Sequence, residues 1–422
     1  MNEKLLQYIW NFKIFRNFDF KDLEGNPVEI LDFGKWNHNS GPDFLYGKIK
    51  TKDLVLVGNI ELHIKSSDWI FHHHSDNPEF QNIILHVVFL HDCEIQELQN
   101  SNTPTLELKN YIDKNLLSKY EMMVQENTFV PCEKIFDPEK IPVNFCENRL
   151  LEKLNKKAEE LEEKLKAFKN NYEAVLFHQL AYAFGLKVNA EIFKNLVESI
   201  DFSIIQKIRQ NPTQLEALLF GKSGWLENPE DDYMKTRKRE YDFLKTKYGI
   251  SDLVFSPKFL RLRPPNFPTI RLSQLTNLYY VQQNLFSKII NAKNSEELYP
   301  IFKDIKADEY WNSRFNFGKI SDTENIKFLT KDFVDLIIIN AVLPLKYVYH
   351  RNHNEDIQDE ILSFYHTIAP EKNSILTQWK SLGVKLRTSL ETQAFIHHFK
   401  NFCTEKKCLN CSIGLQLLKE TR

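Results

Sequence analysis

The chain has 422 residues and a formal net charge of −2, enough length for two or three domains and no global basic field, so any nucleic-acid contact has to come from a local patch. No stretch approaches about 18 consecutive apolar residues, and the opening Met1-Asn2-Glu3-Lys4-Leu5-Leu6 lacks a signal peptide's apolar core. A cytoplasmic protein without a membrane span is therefore expected.

In chain order, residues 3–12 predict a short amphipathic helix with Leu5, Leu6, Ile9 and Trp10 on one side. Strands follow near 28–33, 44–50, 54–65, 83–90 and 104–108. The apolar runs Phe44–Ile49 and Leu54–Val57 flank the polar break Lys50-Thr51-Lys52-Asp53, which reads as a β-hairpin. With the turn centred near Thr51 and Lys52, Asp43 falls opposite position 60 or 61. Along the second strand Glu61, His63 and Lys65 project to one face, while Ile60, Leu62 and Ile64 project to the other. Ile83–Leu90 is almost wholly apolar apart from His86, as a strand covered on both faces would be. Residues 1–125 thus predict an α/β domain with a mixed sheet and 126–146 a linker. Residues 147–422 predict a mostly helical domain, with helices at 149–169, 173–185, 190–199, 203–210, 213–219, 230–247, 273–292, 294–304, 324–342, 355–366, 373–382 and 388–401. The fold class is α+β overall.

Two carboxylates facing each other across a hairpin repel unless a cation lies between them. Asp43 and Glu61 are therefore the expected catalytic metal ligands. Pro42-Asp43 followed by Glu61-Leu62-His63 resembles the PD-(D/E)xK, or restriction-endonuclease-like, phosphodiesterase superfamily. There an Asp after Pro opens one strand, and an acid, a spacer and a Lys lie on the next. The resemblance implies an endonuclease-like N-terminal domain, with Mg²⁺ or Mn²⁺ as catalytic cation and Asp43, Glu61, His63 and Lys65 as catalytic residues. Here His63 stands where Lys is expected, and Lys65 is the nearest substitute. A histidine acting there on the attacking water would make activity fall below about pH 6.5. A helix preceding the motif strands often supplies a further acid in that superfamily, which makes Glu3 a candidate. A wider pattern is similar to a bacterial family of unknown function. It comprises Asn39-Ser40-Gly41-Pro42-Asp43-Phe44, Glu61-Leu62-His63, Ser66-Ser67-Asp68-Trp69, Ile84-Leu85-His86 and Arg261-Leu262-Arg263-Pro264-Pro265. This second resemblance implies kinship without an activity.

Three further groups carry chemistry. His72, His73 and His74 follow Trp69, with Asp76 beyond and His86 on the next strand. Imidazole suits zinc, iron and manganese, so His74 and Asp76 join Asp43 and Glu61 as expected ligands. His72 and His74 face one way if the loop is extended, with His73 pointing elsewhere. His86 reads first as a hydrogen-bonded core residue. Cys403-x4-Cys408-x2-Cys411 has metal-site spacing, and Cys132 is the expected fourth ligand, for zinc or an iron–sulfur cluster. Arg261, Arg263 and Arg271 surround a proline-rich turn and are candidates to grip phosphates. The leading expectation is a metal-dependent phosphodiesterase, a nuclease acting on DNA or RNA. The alternatives are an inactive nuclease-like adaptor that binds nucleic acid or protein, and a zinc hydrolase built on the histidines.

Overall fold

The computed structural model describes every residue except 38–39, 53, 75–76, 124–127 and 420–422, and omits the side chains of residues 123 and 419. It divides into two compact units: Met1–Val143, Ser381–Val384 and His398–Arg422 form the first, and Asn144–Lys380 with Lys385–His397 the second. The fold class is α+β, with a mixed sheet at the N-terminal side of the sequence and a mostly helical remainder.

The first unit opens with helix α1 (Glu3–Asn11), capped by Asn2, whose side chain accepts the Leu5 amide at 2.9 Å. Leu5, Leu6, Tyr8, Ile9 and Trp10 are buried, and Glu3 sits in the first turn. The sheet strands are β1 (Val28–Asp32), β2 (Lys35–Trp36), β3 (Phe44–Thr51), β4 (Leu54–Lys65), β5 (Ile83–Leu90) and β6 (Thr105–Glu107). They lie in the order β1-β3-β4-β5-β6, with β2 also beside β3. The pairs β1/β3 and β3/β4 are antiparallel, and β4/β5 and β5/β6 are parallel. Helix α2 (Asp68–Phe71) lies in the crossover between β4 and β5. All five expected strands are present. The two-residue β2 is too short to leave a periodic signal.

The register of the hairpin places the chemistry. Phe44 pairs with Ile60 but Gly47 with Gly58, so the ladder shifts by one residue at Leu45 and Tyr46. That bulge puts Tyr46 in the left-handed region, φ 61°, with 74% of its surface exposed. Beyond the bulge, Asp43 is in line with Glu61. At Gly58, where β4 begins to run beside β5, an added Cβ would lie 2.5 Å from Ile84 Cγ2 and 2.7 Å from the Asn82 carbonyl oxygen. Gly58→Ala is expected to destabilise the protein by about 1–3 kcal/mol, as overpacking does. Denaturant unfolding measures this, and an unchanged midpoint would contradict the close approach.

In the second unit the helices Phe145–Ala167, Tyr172–Phe184, Leu186–Glu198, Pro212–Lys222, Asp232–Tyr248 and Pro268–Val281 pack around a large apolar core. The expected helix 273–292 is two helices, Pro268–Val281 and Leu285–Asn291. The expected helix 324–342 starts at Lys331 and continues to Asn352. Pro344 does not stop it, because the π-helical turn Ile338–Val342 immediately before rearranges the ladder where proline lacks an N–H. Lys331–Asn352 is long and apolar enough to cross a membrane by length and composition, and 83% of its most apolar window is buried inside the protein. A core helix has that burial.

Candidate metal centre

At the open end of the hairpin the backbone ladder gives way to side chains. The Asp43 amide donates to Glu61 Oε2 at 2.9 Å, and the Leu62 amide donates to Asp43 Oδ2 at 3.1 Å. Each carboxylate thus takes an amide from the opposing strand. Gln7, from α1, donates to Asp43 Oδ1 at 2.7 Å. These bonds hold both acids in place and leave Glu61 Oε1 aimed at the histidines.

Glu61 Oε1 lies 3.4 Å from His74 Nε2 and 3.8 Å from His63 Nε2, and the two Nε2 atoms are 3.2 Å apart. Ligand atoms about 2.1 Å from a tetrahedral zinc stand about 3.4 Å from one another, by the geometry of the tetrahedron. The three atoms therefore outline one face of such a site. His72 is next to it: His63, His72 and His74 each offer a nitrogen within 4.8 Å of the others'. His63 and His74 are buried and His72 is exposed, so the fourth corner is the one open to water. His73, at φ 56° and exposed, stands outside the group. The separation of His73 from its neighbours agrees with expectation, although a tight turn after α2 accomplishes it instead of an extended loop.

Packing fixes the rings. His74 stacks on Phe80 with centroids 3.8 Å apart, and Trp69 stands edge-on to His63, His74 and His86. His63 Nδ1 is 3.0 Å from His86 Nε2, and His86 is fully buried on β5 beside Glu61. His86 is the hydrogen-bonded core residue expected, and its hydrogen bond holds the orientation of the His63 ring. Burial, with the neighbouring histidines adding to it, pushes His63 down to about 2 and His86 down to about 3. Both rings are neutral at ordinary pH, the form that binds metals. Loss of activity below pH 6.5 therefore does not follow from His63.

The acids are pushed the other way. Burial and then the charge of Glu61 raise Asp43 to about 8, against the Gln7 hydrogen bond. Burial raises Glu61 to about 8, opposed by the Asp43 amide and helped by Glu3. Glu3 is itself raised, by burial, with His72 and His74 pulling it down. Three carboxyls and three imidazoles thus share one site with no lysine or arginine among these influences; burial keeps the acids protonated there, and a bound cation would displace those protons and offset the cost of ionising them.

The remaining expected residues distribute as follows. Lys65 is exposed, and its ammonium helps, after the Ser67 amide, to hold Asp92 low. Among the described residues no hydrogen bond or ion pair joins it to the histidines. Asp76 lies outside the described residues. Arg271 is a core residue: its guanidinium donates to Gln274 Oε1 and Asn266 Oδ1 and lies 3.5 Å over the Phe333 ring, an arrangement in which it cannot grip a phosphate. Arg261 and Arg263 are exposed. Cys132, Cys403, Cys408 and Cys411 all belong to the first unit. His72, expected beside His74 only if the loop is extended, is brought next to the triangle by the tight turn.

No curated protein and no solved structure matches the chain. Residues 3–374 match the model of a family described as a protein of unknown function, DUF2851, and the chain belongs to that family.

Proposed function

We propose that the protein is a metal-dependent phosphodiesterase, acting on nucleic acid, whose cation is held by Glu61, His63 and His74. The observation that carries this reading is the triangle of Glu61 Oε1, His63 Nε2 and His74 Nε2, with sides of 3.2–3.8 Å. Two imidazoles and a carboxylate suit zinc, manganese or iron(II) better than magnesium, which prefers oxygen ligands. The arrangement of the acids supports the phosphodiesterase class: Asp43 just ahead of β3, Glu61 on β4 and Glu3 on the helix before them match what the PD-(D/E)xK resemblance implies.

Bound at this face, a divalent cation would acidify a water and neutralise charge on a phosphate oxygen. The chain's own residues supply the rest. His86 holds the His63 ring in place from behind. Asp43, steadied by Gln7 and the Leu62 amide, is the base candidate for the attacking water, being half-buried where His63 is sealed. His72, at the exposed corner, is placed to meet the substrate. The exposed Tyr46 ring, turned outward by the bulge three residues from Asp43, offers a face on which a base can stack.

Asp43→Ala is expected to reduce Mn²⁺- or Zn²⁺-dependent cleavage of labelled single- and double-stranded DNA and RNA by about a hundredfold or more, the loss typical for a catalytic base, with circular dichroism unchanged. Equal cleavage by parent and variant would sink the assignment. A small-molecule zinc hydrolase is the second reading, favoured by the nitrogen-rich ligand set. A chromogenic carboxylic ester cleaved while phosphodiesters stay intact would select it.

A further inference from the structure

The proline-rich turn belongs to the second unit, and buried polar groups hold it. Between Ser251 and Pro268 the chain forms no helix or strand apart from the 3-10 turn Pro264–Asn266, yet it is pinned at several points. Lys222, itself fully buried, donates from Nζ to the Ser251 carbonyl and hydroxyl at 3.3 Å, and its own carbonyl accepts the Phe255 amide at 2.8 Å. Asn189, 1% exposed on the helix Leu186–Glu198, accepts the Lys258 amide at 2.7 Å and donates to the Lys258 carbonyl at 2.9 Å. The Phe259 ring stands edge-on to Phe267 at 5.2 Å. A buried lysine and a buried asparagine are costly unless their bonds are made, and here those bonds go to the backbone of a surface segment.

What the anchored segment presents is positive. Lys258, Arg261 and Arg263 are exposed, and among the described residues none of them joins an ion pair or a side-chain hydrogen bond. No Asp or Glu occurs between Asp252 and Glu296, and Asp252 is already paired with Lys245. Other arginines of this unit are engaged: Arg237 by Glu216 and Asp308, and Arg209 by the Tyr279 and Gln282 carbonyls. The Leu262 amide donates to the Phe259 carbonyl at 3.3 Å, closing a turn whose third residue, Arg261, is left-handed at φ 65°. Such a position favours glycine. An exposed arginine on a strained backbone marks a residue kept for contact with something else. Leu260 beside it is 79% exposed. Pro264 holds Arg263 extended, at φ −75° and ψ 143°. Arg261 and Arg263 are thus at most about 7 Å apart along the chain, the reach between successive phosphates of one strand.

We propose that Lys258, Arg261 and Arg263 bind the sugar–phosphate backbone of a nucleic-acid strand, and so form a substrate-holding surface on the second unit. The proposal rests on the reading of the protein as one that acts on nucleic acid. Guanidinium groups clasp phosphate oxygens through paired parallel bonds, and Leu260 between Lys258 and Arg261 offers an apolar surface to a sugar ring. Contacts to phosphates carry no sequence preference.

The test is the anisotropy of a labelled single-stranded oligonucleotide with the full chain, in chelator so that nothing is cut. Each lost phosphate contact lowers affinity about fivefold near 0.1 M salt. The triple variant Lys258→Ala/Arg261→Ala/Arg263→Ala should therefore bind about a hundredfold more weakly, and its plot of log affinity against log salt should be shallower by about 2. Lys166→Ala, at an exposed position on the helix Phe145–Ala167, should bind as the parent does. Arg261→Gly separates contact from scaffold. It should weaken binding about fivefold while melting no lower than the parent, because glycine accepts the left-handed backbone. A triple variant with the parent's affinity and salt slope, or an equal loss in Lys166→Ala, would overturn the proposal. So would binding to vesicles of anionic lipid that the triple substitution abolishes while oligonucleotide binding persists. A parent that binds the strand through these three residues but cuts no phosphodiester would refute the catalytic reading alone.

Discussion

His74→Ala is expected to weaken Zn²⁺ or Mn²⁺ binding at the histidine site by a hundredfold or more and to abolish metal-dependent cleavage. Changes to supporting groups around a metal already cost about 10–100-fold, and His74 would bind the ion itself. It is the only one of the three proposed ligands that comes from the crossover after β4; Glu61 and His63 are on the strand itself. Its loss leaves two donors 3.8 Å apart, too few to compete with water for the cation. Calorimetric titration of the chelator-treated protein measures the affinity, and circular dichroism of parent and variant provides the control that the chain is folded. His73→Ala, one residue away and outside the group, should bind as the parent does. If the two variants bound alike, the cation would have to sit elsewhere.

The second large effect is on stability and has a sign opposite to that expected for removing a hydrogen-bonded charge. Glu61 has a carboxyl pushed up from its ordinary 4.5 to about 8. Between those values the folded chain keeps a proton that the unfolded chain has released. Stability of the metal-free protein therefore falls as pH rises from about 4.5 and levels off above about 8. Glu61→Gln removes the titrating group. Its amide oxygen can still accept the Asp43 N–H, and its NH₂ faces the ring nitrogens of His63 and His74. The variant should unfold at a higher temperature than the parent at pH 8, by about 5 °C, and without that advantage at pH 4.5. Saturating zinc should reverse the order, because only the parent gains binding free energy in the folded state. Thermal scans at the two pH values, with and without zinc, test each part. A deficit in Glu61→Gln that is the same at both pH values would rule out the raised carboxyl.

The hairpin, the opposition of Asp43 to Glu61 and the shared face of Glu61 and His63 were legible because a strand has a period of two, and the turn fixed the register to within a residue. The bulge at Leu45 and Tyr46 was not, since one extra residue leaves no trace in an apolar pattern. The exchange of amides between Asp43 and Glu61 followed from no pattern either, because it replaces ladder bonds by side-chain bonds at the strand's end. His74 was a natural candidate, whereas the inclusion of His72 depended on a turn. Lys65 had the right parity but lies at the exposed end of β4, where its side chain faces solvent. Arg271 was misjudged from its neighbours in sequence: the proline-rich turn is at the surface, but the helix starting at Pro268 carries Arg271 inward within one turn. The expected helix stopped at 342, ten residues short of its end at Asn352, and the π-turn that precedes Pro344 has no composition of its own.

The first unit is discontinuous, with His398–Arg422 completing a body that begins at Met1. On the ribosome, roughly 255 residues emerge between Val143 and His398. At about 5–20 residues per second the sheet waits on the order of ten seconds to a minute for its last piece, while the intervening helices are free to fold ahead of it. Completion of the first unit therefore has to follow synthesis of the whole second unit.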